Sequence, residues 1–201
     1  MASEAVAGEN RSGALKLSSL GVGELDAARS IISDAIEAWP TPARLKRNVI
    51  PVLAYDRSDL DDYEILLVRD AGEPVAITAW QRQAIKGIPG LPRSSLLHGL
   101  YIARPCQKRG IGTALLVAVA RRAMMAGHEG LLVKAERFAI NYFEQCGFRR
   151  LQELDCLDGL STKSGGRYPH QFWQACASIL SLHAGRASDV LTKGGLESDG
   201  Q

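Results

Sequence analysis

Residues 94–136 restrict the fold more than any other part of the chain. Residues 94–103 (SSLLHGLYIA) have the apolar character of a strand. A turn marked by Pro105 follows, then Gly110 and Gly112. An apolar helical run comes next and ends at Gly127, where a left-handed C-terminal cap is expected. Residues 130–136 (GLLVKAE) read as another strand. The helix expected over residues 109–126 must therefore begin close to the end of a strand, on a backbone kept open by glycine. Its longest apolar run, residues 114–120, is much too short to span a bilayer. Gly99, inside the first of these strands, marks a bulge or a close backbone approach.

The remaining pattern surrounds this unit. Residues 14–20 form a plausible strand. From Glu24 the period changes, with Leu25, Ala28, Ile32, Ala35, Ile36 and Trp39 on one helical face until Pro40 stops it. Residues 42–50 suit a short helix with Pro42 in its first turn. Residues 64–69 and 75–82 bracket Asp70-Ala71-Gly72-Glu73 as a hairpin, and a Gly/Pro loop occupies residues 86–92. A short helix over residues 138–146 is closed by Gly147, and residues 148–154 and 168–175 are late strands. Residues 1–13 and 183–201 read as flexible tails around one domain at residues 14–182, in keeping with a chain of 201 residues. The alternation is mixed, so the expected fold is α/β (α+β): one domain with a mixed, mostly antiparallel central sheet and helices on both faces.

Composition excludes several function classes. Twenty-four Lys and Arg against 22 Asp and Glu leave a net charge of +2, where a nucleic-acid-coating protein would be far more basic. Cys106, Cys146, Cys156 and Cys176 form no Cys-x-x-Cys pair, and His98, His128, His170 and His183 lack ligand spacing, so no metal site is expected. Free thiols and the lack of a charged-then-apolar leader at the N-terminus suit a cytoplasmic protein with no membrane partner.

The chemistry is concentrated at Gln107-Lys108-Arg109-Gly110-Ile111-Gly112-Thr113. The first N–H groups of a helix have no internal partner, and the helix dipole adds partial positive charge there. Gly110 and Gly112 let a bulky anion approach the backbone, and Arg104, Lys108 and Arg109 add cations around the same point. The loop suits a diphosphate. It is not a Walker loop, because Gly112 is followed by Thr113-Ala114 rather than by Lys and Ser or Thr. It is not a dinucleotide fingerprint, because Leu115 stands where Gly or Ala is required.

What remains, Gln107 to Gly112 between a strand and a helix, resembles the Gln/Arg-x-x-Gly-x-Gly/Ala motif of the GCN5-related N-acetyltransferase (GNAT) superfamily. Ala139-Ile140-Asn141-Tyr142-Phe143-Glu144-Gln145-Cys146-Gly147-Phe148 resembles that family's Ala-x-x-Phe-Tyr-x-x-x-Gly-Phe segment. The resemblance implies direct acyl transfer from acetyl-CoA, as acyl-donor cosubstrate, to a small-molecule or peptide amine. It implies that backbone groups near Leu100, Tyr101 and Ile102 pair with the pantetheine arm as an added strand. The N–H groups of Lys108, Arg109, Gly110, Ile111, Gly112 and Thr113 would hold the diphosphate, Gln107 would shape the loop, and Asn141 and Phe143 would lie by the thioester or the adenosine. A homodimer is compatible with the family.

The sequence departs from the family pattern twice. The frequent general acid is a Tyr four residues before the Gly of Gly-Phe, and Phe143 stands there. Tyr142 is its neighbour, but one residue along a helix turns about 100° away. The Glu that some members use as a base falls at Leu96, and His98, two residues on, shares its strand face. His98 is therefore the expected base, with a structural, hydrogen-bonded histidine as the competing reading. The acidic run Asp56, Asp59, Asp61, Asp62 and Glu64 is a solvated loop or, facing the acceptor, an attractor of cationic amines. Trp80 and Tyr101 line that pocket or pack. A CoA-binding sensor that keeps the fold without turnover is the alternative function.

Overall fold

A computed structural model of the chain describes residues 15–85, 90–151 and 170–191. Among the described residues seven strands form one sheet: β1 (Lys16–Ser19), β2 (Tyr63–Asp70), β3 (Glu73–Gln81), β4 (Ser94–Ile102), β5 (Gly130–Ala135), β6 (Arg149–Arg150) and β7 (His170–Ala175), in the order β1-β2-β3-β4-β5-β7-β6. Every pairing is antiparallel except β4 with β5. The β2–β3 hairpin turns on Ala71 (φ 51°) and Gly72 (φ 93°). Positive φ at both central residues gives the turn whose twist matches its strands.

Helices cover both faces of the sheet. Period-2 alternation sends Ile65, Leu67, Ile77 and Ala79 to one face, where they meet Ala28, Ile32 and Ile36 of α1 (Leu25–Glu37). The helix α2 (Ala43–Leu53) packs beside α1, and the single-turn helix α3 (Asp59–Asp62) leads into β2. The helix α2 runs past the expected end at residue 50 and contains Pro51. The opposite face sends Leu66, Val68, Ala76, Leu97, Leu131 and Val133 against α4 (Ile111–Met125), α5 (Ile140–Gln145) and α6 (Cys176–Val190). Trp80 belongs to this core, packed edge-on to buried His128.

The tail expected from residue 183 is instead structured through residue 191. The helix α6 runs to Val190, and Leu191 bridges Leu15 beside β1. The reason lies in α4. Residues 114–120 are buried without interruption, so this helix is apolar on all sides and needs a cover on the side away from the sheet. Cys176, Ile179 and Ala187 of α6 join the same core and supply it. Residues 1–13 and 192–201, and the parts of the expected late strands at 152–154 and 168–169, lie outside the described residues. No described helix is long and apolar enough to cross a membrane. The described residues hold no cluster of three or more potential metal ligands.

One irregularity shapes the centre of the sheet. The parallel β4–β5 ladder runs from Ser94↔Gly130 to Leu97↔Val133 and stops, although β4 continues to Ile102 and β5 to Ala135. On the other side of β4, Ala79 faces Gly99 and Trp80 faces Leu97, which leaves His98 as the extra residue of a β-bulge. The two strands therefore part at the bulge, where the sequence anticipated an irregularity at Gly99.

Candidate active site

The gap between β4 and β5 has main-chain groups without a strand partner along one wall. Ala103 N donates to Val75 O at 2.9 Å, which sets the phase of the antiparallel ladder. Tyr101 then pairs with Ile77 through its main chain, while the main-chain groups of Leu100 and Ile102 point away from β3 into the gap. The expectation for residues 100–102 thus narrows to Leu100 and Ile102. Tyr101 instead sends a buried side chain to the α1 face. Ile102 O accepts a hydrogen bond from Gln107 Nε2 at 3.1 Å, so Gln107 does brace the loop against the strand.

At the end of this wall the chain turns into α4. Lys108 (φ 62°) and Gly110 (φ 81°) both adopt left-handed geometry, and Gly110 is the N-cap. Ala114 N is the first helical donor, to Gly110 O at 3.0 Å. The N–H groups of Ile111, Gly112 and Thr113 stand in the first turn without helical partners. The cations are arranged differently from the sequence expectation. Arg104 Nε pairs with Asp34 Oδ1 at 2.8 Å, and Arg109 with Asp70 Oδ2 at 2.9 Å. Burial would raise the Asp34 pKa, but the hydrogen bonds and charge of Arg104 outweigh it and the carboxyl sits below its ordinary value. Among the described residues Lys108 alone of the three cations has no carboxylate partner.

The glycines serve a second purpose that the sequence did not reveal. A Cβ on Gly110 would lie 3.2 Å from Val190 Cγ2 of α6, and one on Gly112 would lie 2.8 Å from Tyr142 Oη. The protein's own side chains fill the directions a substituent would take. The second motif is rotated relative to expectation. Phe143 is buried against Phe148 and Phe172 in the core. Tyr142 reaches the start of α4, and its hydroxyl is buried beside Thr113 and Cys146 with no hydrogen bond of good geometry. Burial raises its pKa well above the ordinary phenol, so it stays protonated. Asn141 is exposed on the outside of α5.

On the α1 side of the gap three segments converge on His98. Tyr55, from the loop after α2, is buried and lies 3.1 Å from His98 Nδ1. Tyr63 of β2 packs its ring 4.6 Å from the imidazole centroid. Gly99 is required here, because any Cβ would collide with the Tyr55 hydroxyl and the Tyr101 ring. Burial lowers the His98 pKa, Asp59 opposes that, and Lys134 adds to it. The acidic run divides its roles. Asp56 accepts hydrogen bonds from Ser58 and Asp59, and Glu64 pairs with Arg122 at 2.7 Å. Asp59 and Asp62 add negative charge near Tyr63. Glu136, just past β5, is held above its ordinary pKa by burial. Trp39, after α1, meets Phe138, after β5, with centroids 4.7 Å apart.

Residues 64–162 match the family model described as an acetyltransferase (GNAT) domain. The matched segment is a GNAT acetyltransferase domain. Solved structures share this GNAT fold at low identity. The PaiA N-acetyltransferase of Thermoplasma acidophilum, in complex with coenzyme A, aligns over 81% of this chain and 99% of its own at 11% identity and a TM-score of 0.62. A GCN5-related N-acetyltransferase from Rhodopseudomonas palustris covers 84% and 99% at 18% identity and a TM-score of 0.60. A GNAT-family acetyltransferase from Staphylococcus aureus covers 81% and 99% at 13% identity and 0.56. No curated protein matches the sequence significantly.

Proposed function

We propose that this GNAT protein is an acyl-CoA-dependent N-acetyltransferase that passes an acetyl group directly to an amine. The observation that carries the proposal is the early end of the β4–β5 ladder, with Leu100 and Ile102 facing the gap and the α4 N-terminus at its end. An extended amide chain such as pantetheine can add to that strand wall, and the free N–H groups of Ile111, Gly112 and Thr113 with unpaired Lys108 suit a diphosphate. The Thermoplasma relative, solved with coenzyme A, agrees with a CoA substrate. Asp59, Asp62 and Glu136 near the gap favour an amine that arrives as a cation, on a small molecule or a peptide.

In the transfer the amine nitrogen attacks the thioester carbonyl carbon, and its excess proton leaves to water. The C–S bond then breaks with its electron pair on sulfur, and the thiolate takes a proton. Tyr142, which keeps its proton and reaches Gly112, is the candidate donor in place of the Phe143 position. A CoA-binding module without turnover is the second reading. The observation behind it is that Val190 and Tyr142 already occupy the approaches over Gly110 and Gly112.

Amide NMR and a thiol-release assay test both readings. Acetyl-CoA should shift Leu100, Ile102 and the amides of residues 108–113 before any other group, and a panel of amines should then release thiol. Shifts at the loop without release with any amine select the binding module. No shift at the loop or at β4 removes CoA from the gap altogether.

A further inference from the structure

We infer that Tyr55 locks His98 as a neutral imidazole with its proton on Nε2, and that His98 serves the transfer as a hydrogen-bond donor to the carbonyl oxygen rather than as a base. The inference rests on the acyl-transfer reading for its role and on hydrogen-bond chemistry for the tautomer.

The Tyr55 hydroxyl has one partner among the described residues, His98 Nδ1 at 3.1 Å. The phenol is buried, and burial raises its pKa well above the ordinary value, so it keeps its proton. A buried hydroxyl hydrogen with no acceptor is costly. With Nδ1 as its one available acceptor, the Tyr55 O–H donates and Nδ1 offers its lone pair. A neutral imidazole then carries its hydrogen on Nε2. The groups facing the ring keep it neutral near pH 7. Burial and Lys134 of β5 lower its pKa, and Asp59 of α3 only partly opposes them. Tyr63 of β2 covers the ring.

Three features of separate origin build this arrangement. The bulge puts His98 where β4 leaves β5. Gly99 makes room for the Tyr55 hydroxyl. The helix pair α1 and α2 delivers Tyr55 from a distant part of the chain. The His98 residue keeps part of its surface exposed although Tyr63 covers one side of the ring, and among the described residues Nε2 has no hydrogen-bond partner. As the amine attacks, the carbonyl π pair moves onto oxygen, and an Nε2–H directed at that oxygen stabilises the charge as it develops. The pair returns to re-form the carbonyl as the C–S bond breaks. His98 neither gains nor loses a proton overall.

Histidine nitrogen NMR on the full chain reads the tautomer without any substrate. The expected result is a protonated Nε2 and an unprotonated Nδ1 on His98, with the two nitrogens averaging in Tyr55→Phe. A protonated Nδ1 in the wild-type protein overturns the lock. Kinetics then read the role. His98→Ala should lose about 10²–10³-fold in kcat, as when an oxyanion donor is removed. His98→Gln, which presents an N–H but cannot act as a base near neutrality, should recover at least about tenfold of that loss. Equal losses in Ala and Gln, with acetyl-CoA affinity unchanged, overturn the donor role in favour of a base. A wild-type protein that binds acetyl-CoA and releases no thiol overturns the acyl-transfer reading and the donor role with it. The nitrogen spectrum still decides the tautomer by itself.

Discussion

The two sides of the β4–β5 gap are built by different means. The α4 side is local: a strand end, a glycine turn and a helix, contiguous from residue 94 to residue 125, hold the candidate diphosphate site. The α1 side is convergent: Tyr55, Tyr63 and His98 come from three segments and meet only after the sheet and α2 are in place. A contiguous site depends on backbone conformation and is stable once its helix is packed. A convergent site depends on side-chain hydrogen bonds and can be altered without loss of the fold.

Changes on the α4 side should therefore register first as stability. Truncation after Leu182 removes Ala187, Val190 and Leu191 from the cover of α4. The expected loss is roughly 3–5 kcal/mol, from the burial of apolar side chains, and acetyl-CoA affinity should fall with it because Val190 rests on Gly110. Chemical denaturation with calorimetry checks both, and a truncated protein of normal stability would erase the distinction between the two sides. Phe143→Tyr comes next. It inserts a hydroxyl beside Phe148 and Phe172, with an expected cost of about 1–3 kcal/mol for an unpartnered buried polar group. Thiol release, if Tyr142 is the donor, should not improve. A faster Phe143→Tyr enzyme would return the acid to the position the motif assigns.

The smallest expected effect is in pH dependence. His128 is buried against Trp80, and neither of its ring nitrogens has a hydrogen bond of good geometry among the described residues. Burial and Arg93 lower its pKa, against a weaker pull from the Arg82 main chain. A histidine whose folded pKa is lowered is held neutral by folding. The unfolded chain takes up its proton first, so the stability His128 contributes is present above the ordinary imidazole value of about 6.5 and is lost as pH falls through the folded pKa. His128→Leu should flatten that acid limb in urea midpoints measured from pH 7.5 to pH 5. His98 and His170 are lowered too and should keep part of it. An unchanged limb would place the whole acid dependence on those two.

The contrast also explains what was legible in the sequence. The loop at Gly110 and Gly112, the hairpin at Ala71-Gly72 and the bulge near Gly99 follow from local rules, and all three stand where their residues put them. The helix α6 was missed although its signal was present twice. The unbroken apolar run at 114–120 requires a cover on both sides, and Cys176, Ile179, Ala187 and Val190 recur at helical spacing to supply it. Counting back from Gly147 assigned the active position to Phe143, but helix phase decides otherwise. Phe143 and Cys146 share the core face, and that rotation leaves Tyr142 to reach Gly112. Nothing near Tyr55 in the chain announces a partner, since His98 is 43 residues away and their meeting depends on the bulge.

The bridge between Leu15 and Leu191 makes the described fold almost a closed ring. A short linker from residue 191 back to residue 15 would leave every strand pairing intact, and the chain could be opened afresh at Ala71-Gly72, an exposed two-residue turn far along the sequence from the gap. Such a circular permutant would make α6 an internal segment, tied on both sides, and would keep with it the seating of Val190 on Gly110. The loop would then take its cover from a segment held at both ends.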